Sequence, residues 1–296
     1  MPSKRFLLKK LMHQPSARTR ILKERLTEPL HLNAAALVVA AFGSFRAKVA
    51  WDLMMRPHYA YGLLEAADQA REAGLDSFTA IEFGVAAGEG LLNLCKLADE
   101  VRAETGIKVR IAGFDAGQGM PPPVDWRDHP ETFSAGDFPM DVDGLKARLP
   151  SNCRLIIGPV SETVPEFLAN ELNASAPIGF VAFDLDYYSS TKQALAIFDD
   201  VDAAKYLFLP VLYFDDIVLP NYSSWAGELL AIDEFNQEHA MRKIQQYRFL
   251  RSRRIFKNAR WIDQIFLLHL FDHPRLTVPH QRRHMQNVYL NQLNPS

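Results

Sequence analysis

Four aspartates in two short runs could do chemistry together: Asp184 and Asp186 in Phe183-Asp184-Leu185-Asp186, and Asp215 and Asp216 in Phe214-Asp215-Asp216. Each run follows an apolar segment that reads as a β-strand, and the two are one crossover unit apart. If those strands are neighbours, four carboxylates meet at one sheet edge. Ionised carboxylates a few ångströms apart raise one another's pKa, so a cluster of this kind calls for a compensating cation. Oxygen donors suit Mg²⁺ or Mn²⁺ better than zinc or copper. The alternative is that one Asp of each pair caps the helix that follows, although Ser189, Ser190 and Thr191 could cap in its place.

A second group stands upstream, in Glu82-Phe83-Gly84-Val85-Ala86-Ala87-Gly88-Glu89-Gly90. Glycines there let the backbone turn sharply and approach a ligand at a helix N-terminus. The spacing is not the G-x-G-x-x-G of a nicotinamide site. An acid ahead of the glycines suits a cofactor with a cationic group rather than a pyrophosphate. Asp115, in Gly113-Phe114-Asp115, stands where a carboxylate can accept both hydroxyls of a ribose, or where a turn or cap would use it. Together the glycine turn and Asp115 describe a cofactor containing a nucleoside.

These side chains act together only if the fold gathers them. Short β-rich runs at 78–83, 109–114, 154–158, 179–184 and 207–214 alternate with helical stretches at 89–104, 161–172 and 190–205. That alternation predicts a doubly wound, mostly parallel, Rossmann-like α/β sheet with right-handed crossovers. Ligands of such sheets bind outside the carboxyl ends of the strands, where all the acids above fall. A further helix is expected over 227–239, and apolar runs at 244–250 and 262–271 could close the sheet as a hairpin. The helical spacing from Tyr59 ends at Gly74, a residue suited to a C-terminal cap. Residues 1–55 read as an N-terminal helical arm, basic and amphipathic, lying over a main domain of residues 56–296. Pro121–Pro123 and the Gly/Asp-rich stretch 136–144 mark an insertion around 119–150.

Composition narrows the choices. The 296 residues are 48% hydrophobic and 23% charged, an ordinary globular mix, and the net charge of -2 gives no global case for nucleic acid or an acidic membrane surface. The longest early apolar run, Ala34 to Gly43, is far short of the roughly 20 residues of a membrane span, and the basic first 25 residues are unlike a signal peptide. Two cysteines, Cys95 and Cys153, are too few for a disulfide framework, so a reducing cytoplasm is the expected location. Between residues 242 and 260 stand Arg242, Lys243, Arg248, Arg251, Arg253, Arg254, Lys257 and Arg260 with no acid among them. Such a stretch could steer an anionic small-molecule acceptor, pair with a second copy in a homo-oligomer, or simply face solvent.

Taken together the motifs resemble a class I S-adenosylmethionine-dependent methyltransferase, and more narrowly the metal-dependent macrocin O-methyltransferase family. The resemblance spans roughly residues 78–236. It rests on Glu82-x-Gly84-Val85-x-x-Gly88, Phe114-Asp115-x-x-x-Gly119-Met120-Pro121, Gly158-x-x-x-Glu162-Thr163-Val164-Pro165 and Asp184-x-Asp186-x-Tyr188-x-Ser190-Thr191, in that order, followed by Asp215-Asp216 and Ala231-Ile232-Asp233-Glu234-Phe235. It implies that Glu82, Gly84, Gly88 and Gly90 hold the methionine part of the cofactor, that Asp115 holds its ribose, and that Ser161 and Glu162 lie near adenine. It implies too that Asp184, Asp215 and Asp216 bind Mg²⁺, and that the C-terminal part helps choose the acceptor. Ala86 stands where the commonest methyltransferase turn has a glycine, and Pro159-Val160 where the family often has aromatic residues.

Methyl transfer from a sulfonium to a hydroxyl needs orientation and a base. Asp186 is the first candidate for the base and Asp184 the second; no lysine follows Asp184 closely enough to serve. His129 and His239 are further candidates, and Tyr59 and Tyr61 could line the cofactor pocket or pack a helix. A rival enzyme reading takes Asp184-Leu185-Asp186 as the D-x-D of a metal-dependent glycosyltransferase, which leaves the glycine turn without a role. A third reading is a non-catalytic Rossmann-like binding protein.

Overall fold

The computed structural model describes residues 23–218 and 223–277. After a helical turn at 23–26, the described residues ahead of the sheet form α1 (Leu30–Phe42), α2 (Phe45–Ala50) and α3 (Pro57–Glu72). Ser44 caps α2 by accepting from the Ala47 N–H, and Pro57 opens α3, where its missing N–H costs nothing. Strands and helices then alternate: β1 (Ser77–Phe83), α4 (Glu89–Thr105), β2 (Lys108–Asp115), α5 (Val142–Lys146), β3 (Cys153–Ile157), α6 (Val160–Asn170), β4 (Ile178–Phe183), α7 (Tyr188–Ala194) and β5 (Tyr206–Phe214). Then come α8 (Gly227–Glu238), β6 (Arg242–Gln246), α9 (Leu250–Arg253), β7 (Ile265–Leu270) and a short α10 (Pro274–Thr277).

The seven strands lie in the order β3-β2-β1-β4-β5-β7-β6. The five from β3 to β5 are parallel, and β7 runs antiparallel between β5 and β6. This is the doubly wound α/β sheet expected, closed by the anticipated C-terminal hairpin. Its switch point falls between β1 and β4, where the chain has turned one way to β2 and the other way to β5. Both faces are covered, which is why the central strands are apolar almost throughout. Phe78, Ala80, Phe180, Ala182, Val211 and Tyr213 pack on the side of α3 and α4. Ile81, Phe83, Val181, Phe183, Leu212 and Phe214 pack on the other side, with α6, α7 and α8.

One expected helix is interrupted. The stretch 190–205 is helical to Ala194, tightens to 3₁₀ over Leu195–Phe198, and breaks before a short 3₁₀ turn at Ala203–Lys205. Asp200 accepts the Asp202 N–H at 2.9 Å and Asp202 accepts the Ala204 N–H at 3.0 Å, so local carboxylates compete with the helical ladder.

The described part of the N-terminal segment is docked onto the C-terminal part. Glu28 accepts the N–H groups of Lys257 and Asn258 at 2.5 and 2.6 Å. Arg254 donates to Asp52 and, at 2.6 Å, to the Val49 carbonyl, with Trp261 beneath its guanidinium. The basic stretch is thus partly engaged within the chain: Arg242 pairs with Asp272, Arg251 with Asp263 and Arg254 with Asp52. Residues 1–22 of the arm lie outside the described residues. Among the described residues no helix is long and apolar enough to cross a membrane.

Candidate active site

The carboxyl ends of β1, β4 and β5 converge at the switch point. Side chains alternate along a strand, so the faces that carry Ala80, Ala182 and Tyr213 toward α3 and α4 also carry Glu82, Asp184 and Asp215. The ladder continues into the acids, with the Asp184 N–H donating to the Phe83 carbonyl and the Asp215 N–H to the Phe183 carbonyl, each at 3.0 Å.

Asp184, Asp215 and Asp216 each offer a carboxylate oxygen, and the three oxygens lie within 4.8 Å of one another. Asp186 joins them through its backbone. It sits at a positive φ of 58°, unusual for a residue with a Cβ, and its N–H donates to Asp216 Oδ2 at 3.2 Å. Glu228, in the first turn of α8, completes the group: its Oε2 accepts the Asp216 N–H at 3.0 Å, while its Oε1 is buried with no hydrogen-bond partner. Asp215 accepts from the Tyr213 hydroxyl, and the Gln264 amide donates to the Asp215 carbonyl at 2.7 Å.

Burial, then mutual repulsion, pushes the carboxyls of Asp184, Asp216 and Glu228 well above the ordinary range. Burial raises Asp186 to about 6, opposed by its contact with Asp216 and by nearby His129. Oxygens around an octahedral Mg²⁺ stand about 3–4 Å apart, so a small adjustment of these side chains closes the set. The all-oxygen donors and the orphaned Glu228 oxygen fit a hard divalent cation.

The glycine turn abuts this cluster. Gly84 has φ 81°, and a Cβ on it would stand 1.8 Å from the Asp184 carbonyl oxygen, so only glycine allows the ends of β1 and β4 to approach this closely. Gly88 opens α4 at φ 84°. Gly90 makes room for Glu82, whose Oε1 would lie 2.0 Å from a Cβ there. Glu82 is 1% exposed with Oε2 unpartnered. Burial raises its pKa to about 7, against the pull of the Arg56 guanidinium and the Tyr59 hydroxyl.

Asp115 braces the turn. Its Oδ2 accepts the N–H groups of Val85 and Ala86 at 2.9 and 2.8 Å, and its Oδ1 that of Gly117 at 2.7 Å. A carboxylate has about four acceptor sites, so these three bonds orient it and leave capacity for one more donor. Ser161 and Glu162 stand on the exposed first turn of α6, tied to Asp115 by the Gly158 N–H donating to its carbonyl at 3.0 Å.

The segment between β2 and β3 closes the other side. Asp128, fully buried, accepts the Ser189 N–H and hydroxyl, each at 2.8 Å, and pins this segment to the start of α7. His129 follows at φ 53°; its Nε2 lies 2.9 Å from where a Gly227 Cβ would be, beside the opening of α8. His239 is at the far end of α8, bonded to Asp199 and the Phe235 carbonyl, away from the acids. Tyr59 lies by Glu82, whereas Tyr61 packs on Trp261 and Arg254 in the arm interface.

Sequence reasoning missed Glu228 and Arg56. Glu228 reads as an ordinary acid in a first helical turn, and Arg56 as the polar residue before a proline. The one signal was Gly227, held at φ 59° ahead of Glu228.

No family model and no curated protein matches the sequence. Among solved structures the chain is similar to a calicheamicin methyltransferase, at 23% identity, with 79% of this chain and 83% of that chain covered and a TM-score of 0.46. At that distance function has to be read from the side chains.

Proposed function

We propose that the protein is an S-adenosylmethionine-dependent methyltransferase that acts on a hydroxyl of a small molecule with the help of Mg²⁺ or Mn²⁺. The observation that supports this reading is the close approach of Gly84 to the Asp184 carbonyl, which brings the glycine turn beside the three-aspartate cluster. A donor held by the first and an acceptor held by the second would meet within a few ångströms, the geometry a displacement requires.

The residues divide the work. Glu82 would face the ammonium of the methionine part, and a cation there would draw it to its carboxylate form. Asp115 fixes the Val85-Ala86 backbone and has one acceptor site left for a ribose hydroxyl. Ser161 and Glu162, at the exposed start of α6, would stand toward adenine. Asp184, Asp215 and Asp216 would hold the metal ion, which when bound lowers the pKa of an acceptor hydroxyl and fixes its direction. Asp186, placed by its bond to Asp216, would accept the proton. The segment between β2 and β3, with His129, would shield the reacting atoms from water.

The test is the unfolding midpoint measured with S-adenosylhomocysteine and with Mg²⁺ or Mn²⁺, each alone. Ligand at 100 times its dissociation constant should stabilise by about 2.7 kcal/mol. Asp115→Ala should abolish the first shift, and Asp216→Ala the second. Methyl transfer to a panel of hydroxylated acceptors should fail with a chelator and return with either metal. Absence of any shift with adenosyl ligands up to millimolar concentration would sink the cofactor assignment, and full activity under chelation the metal assignment.

A further inference from the structure

Arg56 precedes α3 and is half-buried beside the switch point, its guanidinium 5.2 Å from the centroid of the Tyr59 ring. Its charge acts on Glu82 and Asp184, from β1 and β4 respectively. Yet no acid among the described residues comes within ion-pair distance, and its side chain makes no hydrogen bond to them. Elsewhere the buried arginines are engaged: Arg254 with Asp52 and the Val49 carbonyl, Arg242 with Asp272. A guanidinium carries a planar fork of donors suited to a carboxylate, and this one is free to use it. Next to it, Glu82 Oε2 and the Tyr59 hydroxyl are buried without partners. The two side chains therefore offer, near each other, an unbonded acceptor oxygen and a cationic donor. A ligand end that carries both an ammonium and a carboxylate matches the two; a simple anion would be repelled by Glu82 and Asp184, and a simple cation by Arg56.

We infer that Arg56 binds the carboxylate of the methyl donor, so that Arg56 and Glu82 together clamp its α-amino-acid end. This deepens the cofactor reading above and rests on it. The amino-acid end would then lie between β1 and the start of α3, so that a residue preceding the first strand sets donor recognition. Tyr59, edge-on to Phe180 and Tyr213, fixes the start of α3, and His58 stacks on Tyr213 with ring centroids 4.1 Å apart. The fork is thus presented from a packed element.

The experiment titrates three ligands by calorimetry into the full chain and its variants: S-adenosylhomocysteine, its decarboxylated analogue, and 5′-methylthioadenosine, which lacks the amino-acid end. Wild type should prefer S-adenosylhomocysteine to the decarboxylated analogue. Arg56→Gln should weaken S-adenosylhomocysteine by roughly 10- to 100-fold, leave methylthioadenosine within about twofold, and erase the preference. Arg56→Lys, which keeps the charge and loses the fork, should recover part of the loss. Equal weakening of all three ligands would make Arg56 a structural counter-charge and overturn the inference, as would an unchanged preference in Arg56→Gln. Binding of no adenosyl ligand by wild type would remove the cofactor reading itself, and the clamp with it. Tight binding of S-adenosylhomocysteine by both wild type and Arg56→Gln would remove the clamp alone.

Discussion

Two regions of this molecule bury charge, and they do so in opposite ways. Where the N-terminal segment docks, Arg254 and Asp52 are 7% and 6% exposed, of opposite sign and bonded to each other. At the strand ends the half-buried Asp184 and Asp186 stand with the buried Asp216 and Glu228, all of the same sign, and every pKa among them is raised. The first region carries its own counter-charge. The second gathers charges of one sign, and holds its geometry because backbone N–H groups and the Gln264 amide fix the acids individually. Burial alone therefore does not describe a charge; the sign of its neighbours has to be read with it.

Several substitutions break or sharpen that contrast. The largest expected effect is on turnover: Asp186→Asn should lower kcat by about 10²- to 10⁴-fold once an acceptor is in hand, with no loss in thermal stability, because it removes like-charge repulsion. At the docked segment the sign reverses. Arg254→Met removes the guanidinium bonded to the buried Asp52 carboxylate, which should cost about 3–5 kcal/mol in urea unfolding while adenosyl-ligand affinity stays unchanged. A third test uses pH. The Glu82 carboxyl sits at about 7 in the fold, above its ordinary 4.5, so between those values the native state binds more protons than the unfolded one. Glu82 should therefore contribute a fall in unfolding free energy of up to about 1.4 kcal/mol per pH unit through that window, beside the falls from the other raised carboxyls, and Glu82→Gln should remove its share of the slope. The smallest effect belongs to charges in water. Lys192 bridges Glu234 and Glu238 with its side chain 41% exposed, and Lys192→Ala should shift unfolding by no more than about 0.5–1 kcal/mol.

Much of the fold was legible because the central strands are buried on both faces and stand out as apolar runs between turn residues. The predicted run at 78–83 and the observed Ser77–Phe83 differ by one residue, and 207–214 likewise against Tyr206–Phe214. Helix 190–205 was less legible, since its break depends on Asp200 and Asp202 accepting nearby N–H groups, a competition that apolar spacing does not register. Within the site, acids at strand ends were visible because the strands were. Glu228 and Arg56 come from elements whose approach is set by tertiary packing: α8 docks on α7, and α3 lies on β5 and β4. Asp115 shows the limit in another way. Its position predicted a ribose acceptor, while the three N–H groups it holds depend on a turn conformation no residue spacing reveals.

The place of β7 in the sheet has a consequence for synthesis. Residues 265–270 enter between β5 and β6, and Gln264 at their threshold braces the Asp215 carbonyl. A chain leaves the ribosome at about 5–20 residues per second, so the five parallel strands can emerge and pair while β5 is still an open edge. Until residues 264–270 arrive, the Asp215 carbonyl lacks the Gln264 amide that braces it. The brace on Asp215 thus forms only after the parallel core has been made, and a chain released before residue 264 would own the glycine turn without a braced aspartate cluster beside it.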